Sequence, residues 1–117
     1  MYMTGKFVTL LVEDDDLQRE VLADMLANEG LEVVECSTAE AAELIVATTG
    51  TELRALVTDH DLKGTMTGAE LAKYARGQFP NLNLIVMSGH ERPRLPPRVR
   101  FLRKPFDPGQ FLAAVLA

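Results

Sequence analysis

Residues 6–16 read Lys6-Phe7-Val8-Thr9-Leu10-Leu11-Val12-Glu13-Asp14-Asp15-Asp16, a mostly apolar, β-compatible run that passes directly into four acids. Such a run suits a strand buried on both faces. Beyond the acids, Leu17, Val21, Leu22, Met25 and Leu26 recur at helical spacing and mark one apolar helix face. Asp15 or Asp16 is placed to cap that helix, and Gly30 to end it. The same alternation continues outward. Residues 31–36 read as a second strand. Ser37 or Thr38 caps the next helix, with Leu44, Ile45 and Ala47 on one face and Gly50 past its end. Residues 55–58 form a third strand ending at Asp59. A loop with Gly64 and Gly68 leads into a helix over 69–78, stopped near Pro80. Residues 84–87 form a fourth strand ending at Ser88-Gly89, and 99–103 a fifth. Asp107-Pro108 supplies an N-cap and a first-turn proline for a last helix through Phe111, Leu112 and Val115.

Strands alternating with helices predict βαβ units and a parallel sheet, and right-handed crossovers restrict its topology. Five strands with helices on both faces fit a flavodoxin-like doubly wound sheet of order 2-1-3-4-5. The 117 residues predict one domain, 1–117. Hydrophobic content of 47% with 25% charged residues belongs to a soluble globular chain and excludes disorder or a disulfide-built miniprotein. The lone Cys36 has no partner for an internal disulfide, which favours a reducing, cytoplasmic compartment. No apolar stretch approaches the ~20 residues that span a bilayer, and residues 1–6 lack a signal-peptide core, so no membrane association is expected.

The net charge of −5 argues against nonspecific nucleic-acid binding, but the charge is uneven. Residues 91–104 hold Arg92, Arg94, Arg98, Arg100, Arg103 and Lys104 against Glu91 alone, a sum of +5. The remaining six bases face sixteen acids, a sum of −10.

In doubly wound sheets, sites form at the carboxyl ends of strands near the switch in strand order. Those ends carry Glu13 and Asp14 after strand one, Asp59 after strand three, Ser88 after strand four and Lys104-Pro105 after strand five. In the order 2-1-3-4-5 these strands are neighbours, so three acids, a hydroxyl and an ammonium meet in one cleft. Carboxylates that close repel one another, and a hard divalent cation such as Mg²⁺ relieves the conflict. A carboxylate can also attack phosphorus to give an aspartyl-phosphate, whose oxygens call for a cation and a hydroxyl donor.

Over essentially its whole length the chain resembles the receiver domain of two-component response regulators. The resemblance rests on Val12-Glu13-Asp14-Asp15, Asp59, Met87-Ser88-Gly89 and Lys104-Pro105-Phe106, four motifs in order at the ends of the expected strands. It implies a phosphoacceptor at Asp59. It also implies Mg²⁺ bound by Asp14 and Asp59, by Glu13 largely through a water, and by the backbone carbonyl of Asp61. Ser88 matches the switch hydroxyl, and Lys104 the lysine that pairs with the phosphoryl group. Pro105 matches a proline often preceded by a cis bond, and Phe101 the aromatic coupled to the switch. The implied partners are a histidine kinase or histidine phosphotransfer protein and an output protein. From charge alone, the five arginines of residues 91–104 read as surface, either solvated or binding an acidic output partner, and no nucleic acid is expected to bind this chain. The domain would be a signalling switch that catalyses its own phosphotransfer and dephosphorylation, not an enzyme with a separate substrate.

Two departures from the family pattern stand out. Lys63 occupies a position where the family often has proline. Between Ser88 and strand five only residues 89–98 remain, and they contain Pro93, Pro96 and Pro97. Proline within a helix costs about 3 kcal/mol and also disfavours α geometry in the preceding residue. The fourth helix is therefore expected to be absent or a single turn, as in a minority of stand-alone receivers. Taken singly, each motif also has a plain structural reading: an N-cap cluster for residues 13–16, a turn at Ser88, a surface lysine at 104, a core side chain at Phe101. Asp59-His60-Asp61 also resembles the DxD motif of haloacid-dehalogenase phosphatases, but there it lies near the chain start, whereas 58 residues precede it here. A flavodoxin would need a hydroxyl- and glycine-rich loop after strand one, where this chain has acids.

Overall fold

The computed structural model describes residues 8–117. The start of the expected first strand, Lys6 and Phe7, and the signal-peptide reading of residues 1–6 lie outside the described residues. The elements are β1 (Val8–Val12), α1 (Asp16–Asn28), β2 (Glu32–Cys36), α2 (Ala39–Thr49), a short 3₁₀ turn (Gly50–Glu52), β3 (Leu53–Asp59), α3 (Gly68–Gln78), β4 (Asn83–Ser88), β5 (Val99–Arg103) and α4 (Pro108–Leu116). All strand pairs are parallel, and the sheet order is β2-β1-β3-β4-β5, as the alternation predicts.

Side chains alternate across a strand, so each central strand feeds two cores. Leu10, Val12, Leu56, Leu84 and Val86 meet Val46 of α2 and Leu71, Ala72 and Ala75 of α3 on one face. Leu11, Val57, Ile85 and Met87 meet Leu22 and Leu26 of α1 and Phe111 and Val115 of α4 on the other. Both faces are covered, which explains why β1, β3 and β4 read as nearly unbroken apolar runs. The helix starts obey local rules. Asp15, Thr38, Thr67 and Asp107 are N-caps, and Thr67 and Asp107 form reciprocal capping boxes with Glu70 and Gln110. Gly30 turns the chain after α1 with φ +81°, a conformation that glycine adopts without strain.

Three residues expected on buried faces are exposed: Leu17, Val21 and Leu44, the first 71% and the last 66% accessible. On α1 the buried stripe is Leu22, Ala23 and Leu26, and Leu17 lies roughly 140° round the helix from Leu22. On α2 the inward stripe is Ala39, Ala42 and Val46; Leu44 lies roughly 140–160° from it, and Ala47 is exposed as well. Small residues at 39 and 42, not the larger leucine, face the sheet.

Residues 89–98 contain no helix. A ten-residue helix would span about 15 Å, close to the ~17 Å length of a five-residue strand, leaving nothing for the turns at either end. The segment instead runs as an irregular strap from the carboxyl end of β4 back to the start of β5. Leu95 packs partly against the core, and Arg98 takes a positive φ of +61°. Arg76 of α3 anchors the strap's far end. Its Nε donates to Pro97 O (3.2 Å) and a terminal nitrogen to Arg98 O (2.9 Å). Its other terminal nitrogen donates to Phe79, Pro80 and Leu82 carbonyls at 2.9–3.2 Å. Five carbonyls thus share one guanidinium, which burial and the neighbouring Arg98 push toward a lower pKa.

Arg76→Ala is expected to cost about 2–3 kcal/mol, since hydrogen bonds from a charged donor contribute more than neutral ones. Arg76→Lys should recover little, because an ammonium cannot reproduce the planar fork. Urea unfolding midpoints and amide exchange at Val99 test both variants; full recovery by lysine would show that charge alone holds the strap.

Candidate functional site

The carboxyl ends of β1, β3, β4 and β5 bring Glu13, Asp14, Asp59, Ser88 and Lys104 to one edge of the sheet. Register sets this arrangement: Val12 sits beside Thr58, Asp59 beside Met87, and Ser88 beside Arg103. Main-chain bonds then fix the first residue beyond each strand. Glu13 N donates to Cys36 O (3.0 Å), His60 N to Met87 O (2.8 Å) and Lys104 N to Ser88 O (2.8 Å). Gly68 opens α3 directly against this edge, and its N–H donates to His60 O at 3.0 Å. A Cβ at 68 would collide with the carbonyl oxygen of Asp59, so the close approach requires glycine.

The oxygens of Glu13, Asp14 and Asp59 lie within 4.8 Å of one another. Glu13 is almost wholly buried and Asp59 6% exposed. Lys104 Nζ lies between them, 2.9 Å from Glu13 Oε1 and 3.2 Å from Asp59 Oδ1, and donates to Gln18 Oε1 at 2.9 Å. Burial first, and then the Glu13 charge, push the Asp59 carboxyl up to about 6, although Lys104 pulls the other way. Burial opposes the charge on Lys104, but its bonds to Glu13 and Asp59 outweigh burial and hold its pKa above the usual lysine value. One ammonium therefore faces three carboxylates. This donor set fits a small divalent cation, with hard oxygen ligands and an uncompensated negative charge.

Ser88 is fully buried, and its Oγ donates to Asp61 Oδ2 at 2.9 Å while accepting from His90 N at 3.0 Å. The side chain of Asp61, whose backbone carbonyl the family pattern singles out, is thus tied to the hydroxyl. The Lys104–Pro105 bond is cis. Phe101 is half-buried and packs at the border of the α2–α3 core. His60 borders the site and accepts from Ala69 N through Nδ1 at 3.2 Å. Cys36 is a buried free thiol.

Two residues at the site escape a motif reading. Gln18 sits three residues after the N-cap Asp15, where a capping box would send its side chain back to the cap; instead it reaches Lys104. Glu40 of α2 accepts from Thr65 N, Thr65 Oγ1 and Met66 N at 2.8–3.1 Å, and these bonds hold its carboxyl below the usual range. With Asp14 Oδ2 accepting from Lys63 N (3.0 Å), Glu40 shapes the loop after Asp59. Only the long-range fold brings residues 40 and 65 together, so no local signal marks the pair.

A family model described as the response regulator receiver domain matches residues 9–116. The transcriptional regulatory protein FixJ of Azorhizobium caulinodans is 34% identical over 113 residues, covering 92% of this chain and 52% of FixJ. The chain thus spans about half the length of that curated relative. The receiver domain of the hybrid histidine kinase CckA superposes with a TM-score of 0.81 at 32% identity, covering 93% of this chain and 95% of that one. A response regulator receiver protein from Sinorhizobium medicae WSM419 has a TM-score of 0.89 at 24% identity, covering 97% and 94% of the two chains, a likeness of fold.

In metal-free protein held with a chelator, the Asp59 carboxyl is expected to titrate near 6. Lys104→Met should raise that value by removing the opposing positive charge, and Glu13→Gln should lower it by removing a like charge. Carboxyl-detected NMR titration reads both shifts; equal values in all three proteins would contradict the electrostatic coupling.

Proposed function

Since the chain belongs to the response regulator receiver domain family, we propose that it is the phosphoacceptor of a two-component relay, residues 1–117 forming a single receiver domain in the cytoplasm. The observation that carries this reading is the convergence of Glu13, Asp14 and Asp59 around Lys104. Asp59 is the acceptor. A carboxylate oxygen attacks the phosphorus of a phosphohistidine on a kinase or phosphotransfer protein. A P–O bond forms, the P–N bond breaks, and the imidazole leaves as its nitrogen takes up a proton. Asp59 must be ionised to attack, so Lys104, which pulls its pKa down against burial and the Glu13 charge, favours the reaction.

Glu13, Asp14, Asp59 and the Asp61 carbonyl are the groups that would hold Mg²⁺. Bound there, the ion supplies positive charge for the carboxylates and for the phosphoryl oxygens. Lys104, already 3.2 Å from Asp59 Oδ1, exchanges that bond for one to a phosphoryl oxygen. Ser88 gives up Asp61 and donates to a second phosphoryl oxygen. That movement also releases the His90 N–H, so rearrangement starts at the base of the strap. Phe101, on the strand next to Val86, is the side chain placed to follow it. The output is a partner protein that reads the changed face.

The test combines Mg²⁺ with a small phosphodonor, or with beryllofluoride, while amide NMR spectra are recorded. Shifts are expected around Asp59, Ser88 and Lys104, to vanish in Asp59→Asn and to be lost when Mg²⁺ is chelated. Shifts that survive Asp59→Asn would refute the acceptor assignment, and rapid turnover of many phosphate esters would point to a hydrolase instead.

A further inference from the structure

Arg92, Arg94, Arg98, Arg100 and Arg103 are all exposed. Among the described residues, none of them pairs with a carboxylate; the ion pairs are Arg19 with Asp16 and Glu35, and Lys104 with Glu13 and Asp59. Sixteen acids elsewhere in the chain leave these five cations unmatched. Their backbone is held in place: His90 N is bonded to Ser88 at one end of the strap, and Arg76 grips Pro97 and Arg98 carbonyls at the other. Three prolines between them limit the loop's freedom further.

At the far end, Arg98 and Arg100 line an open cleft of about 490 Å³ with Asn81 and Asn83. Among the described residues, no acidic side chain lines this cleft, and Ala117, which does, makes no ion pair. Arg76 also borders it, but its donors are spent on carbonyls. Arg100 makes one bond, from Nε to Asn83 Oδ1 at 3.3 Å, which leaves its terminal nitrogens for a ligand.

We propose that residues 89–103 dock an acidic segment of a partner protein, with partner carboxylates seated in the Arg98–Arg100 cleft. Guanidinium groups bind carboxylates through paired parallel hydrogen bonds, and the exposed Asn81 amide adds a neutral donor beside them, while the Asn83 amide is held by the Ala114 and Val115 carbonyls. A basic strip on an acidic body also steers an acidic partner to one place, because the rest of the surface repels it. The same charge map disfavours nucleic acid. A duplex carries a negative charge every ~1.7 Å and extends well past a strip about 17 Å long, so it must run over a body of net −10. The inference goes beyond the phosphoacceptor reading and does not need Asp59 to be phosphorylated.

The test uses the unphosphorylated full chain and two fluorescent probes: a twelve-residue peptide of Glu and Asp spaced by Gly and Ser, and a twenty-base-pair DNA duplex. Anisotropy reports affinity, and amide NMR reports the contact site. The peptide is expected to bind, to shift resonances of residues 91–103, and to weaken as salt rises from 50 to 200 mM. Arg98→Glu with Arg100→Glu should reduce affinity at least tenfold, and the gentler Arg98→Gln with Arg100→Gln should reduce it by less. Lys73→Glu, an exposed base off the strip, should leave it unchanged. Equal affinity in wild type and both arginine variants, shifts confined to other surfaces, or duplex binding as tight as peptide binding would each overturn the proposal. Phosphodonor-induced shifts at Asp59, recorded on the same variants, separate its failure from failure of the acceptor reading.

Discussion

Three carboxylates held around one ammonium are the constraint on which the site depends. Two unit charges 4 Å apart interact by about 4 kcal/mol at the effective dielectric of a protein surface, so an unbalanced cluster of this kind is costly unless the fold imposes it. Here it does. Glu13 is locked to Cys36 and Lys104 to Ser88 through main-chain bonds, while Gly68 lets α3 close against Asp59. None of these positions can relax away from the others without breaking a strand end. Burial first, and then the Glu13 charge held beside it, raise the pKa of Asp59. One ammonium leaves the cluster with surplus negative charge, which a small divalent cation with hard oxygen ligands would relieve.

Most of this frame was legible in the residues. Strand positions followed from apolar runs, and helix starts from Asp15, Thr38 and Asp107, because both signals are local and survive tertiary packing. The site residues were readable for a further reason: a doubly wound sheet collects whatever follows its strands, so strand ends in sequence become neighbours in space. Helix faces were less legible. A helix with apolar residues on more than one side offers several candidate stripes, and only the sheet decides which is buried. It chose Ala39, Ala42 and Val46 over Leu44. Contacts such as Glu40 to Thr65 and Gln18 to Lys104 left no trace in spacing, since they join elements whose approach is set by the whole fold. Arg76 was silent for the same reason, although it holds five carbonyls.

The missing helix shows how composition and geometry act together. Pro93, Pro96 and Pro97 remove helical options, and ten residues between β4 and β5 leave no length for a helix and two turns. An extended strap solves the crossover but loses the intrahelical hydrogen bonds that would satisfy its carbonyls. Arg76 takes over part of that task from α3, reaching the strap and the α3–β4 turn at once. The bond from His90 to Ser88 ties the other end to the site.

The strap's stiffness also bears on the acidic site. Three unpaired guanidiniums, Arg92, Arg94 and Arg98, on a flexible loop of this length would be drawn onto Glu13, Asp14 and Asp59 by simple Coulomb attraction, while Arg100 and Arg103 are fixed in β5. Such a collapse would neutralise the cluster and compete with any incoming cation. It does not happen: Lys104 is the base of residues 91–104 that pairs with these acids, while Arg103, one residue away, stays exposed and unpaired. Strand geometry explains the last step, because successive residues point to opposite faces and only one of the two can enter the cleft. The chain thus keeps opposite charges close without letting them cancel. Prolines and the Arg76 clamp hold the basic strip apart, and the alternation at the end of β5 admits a single ammonium.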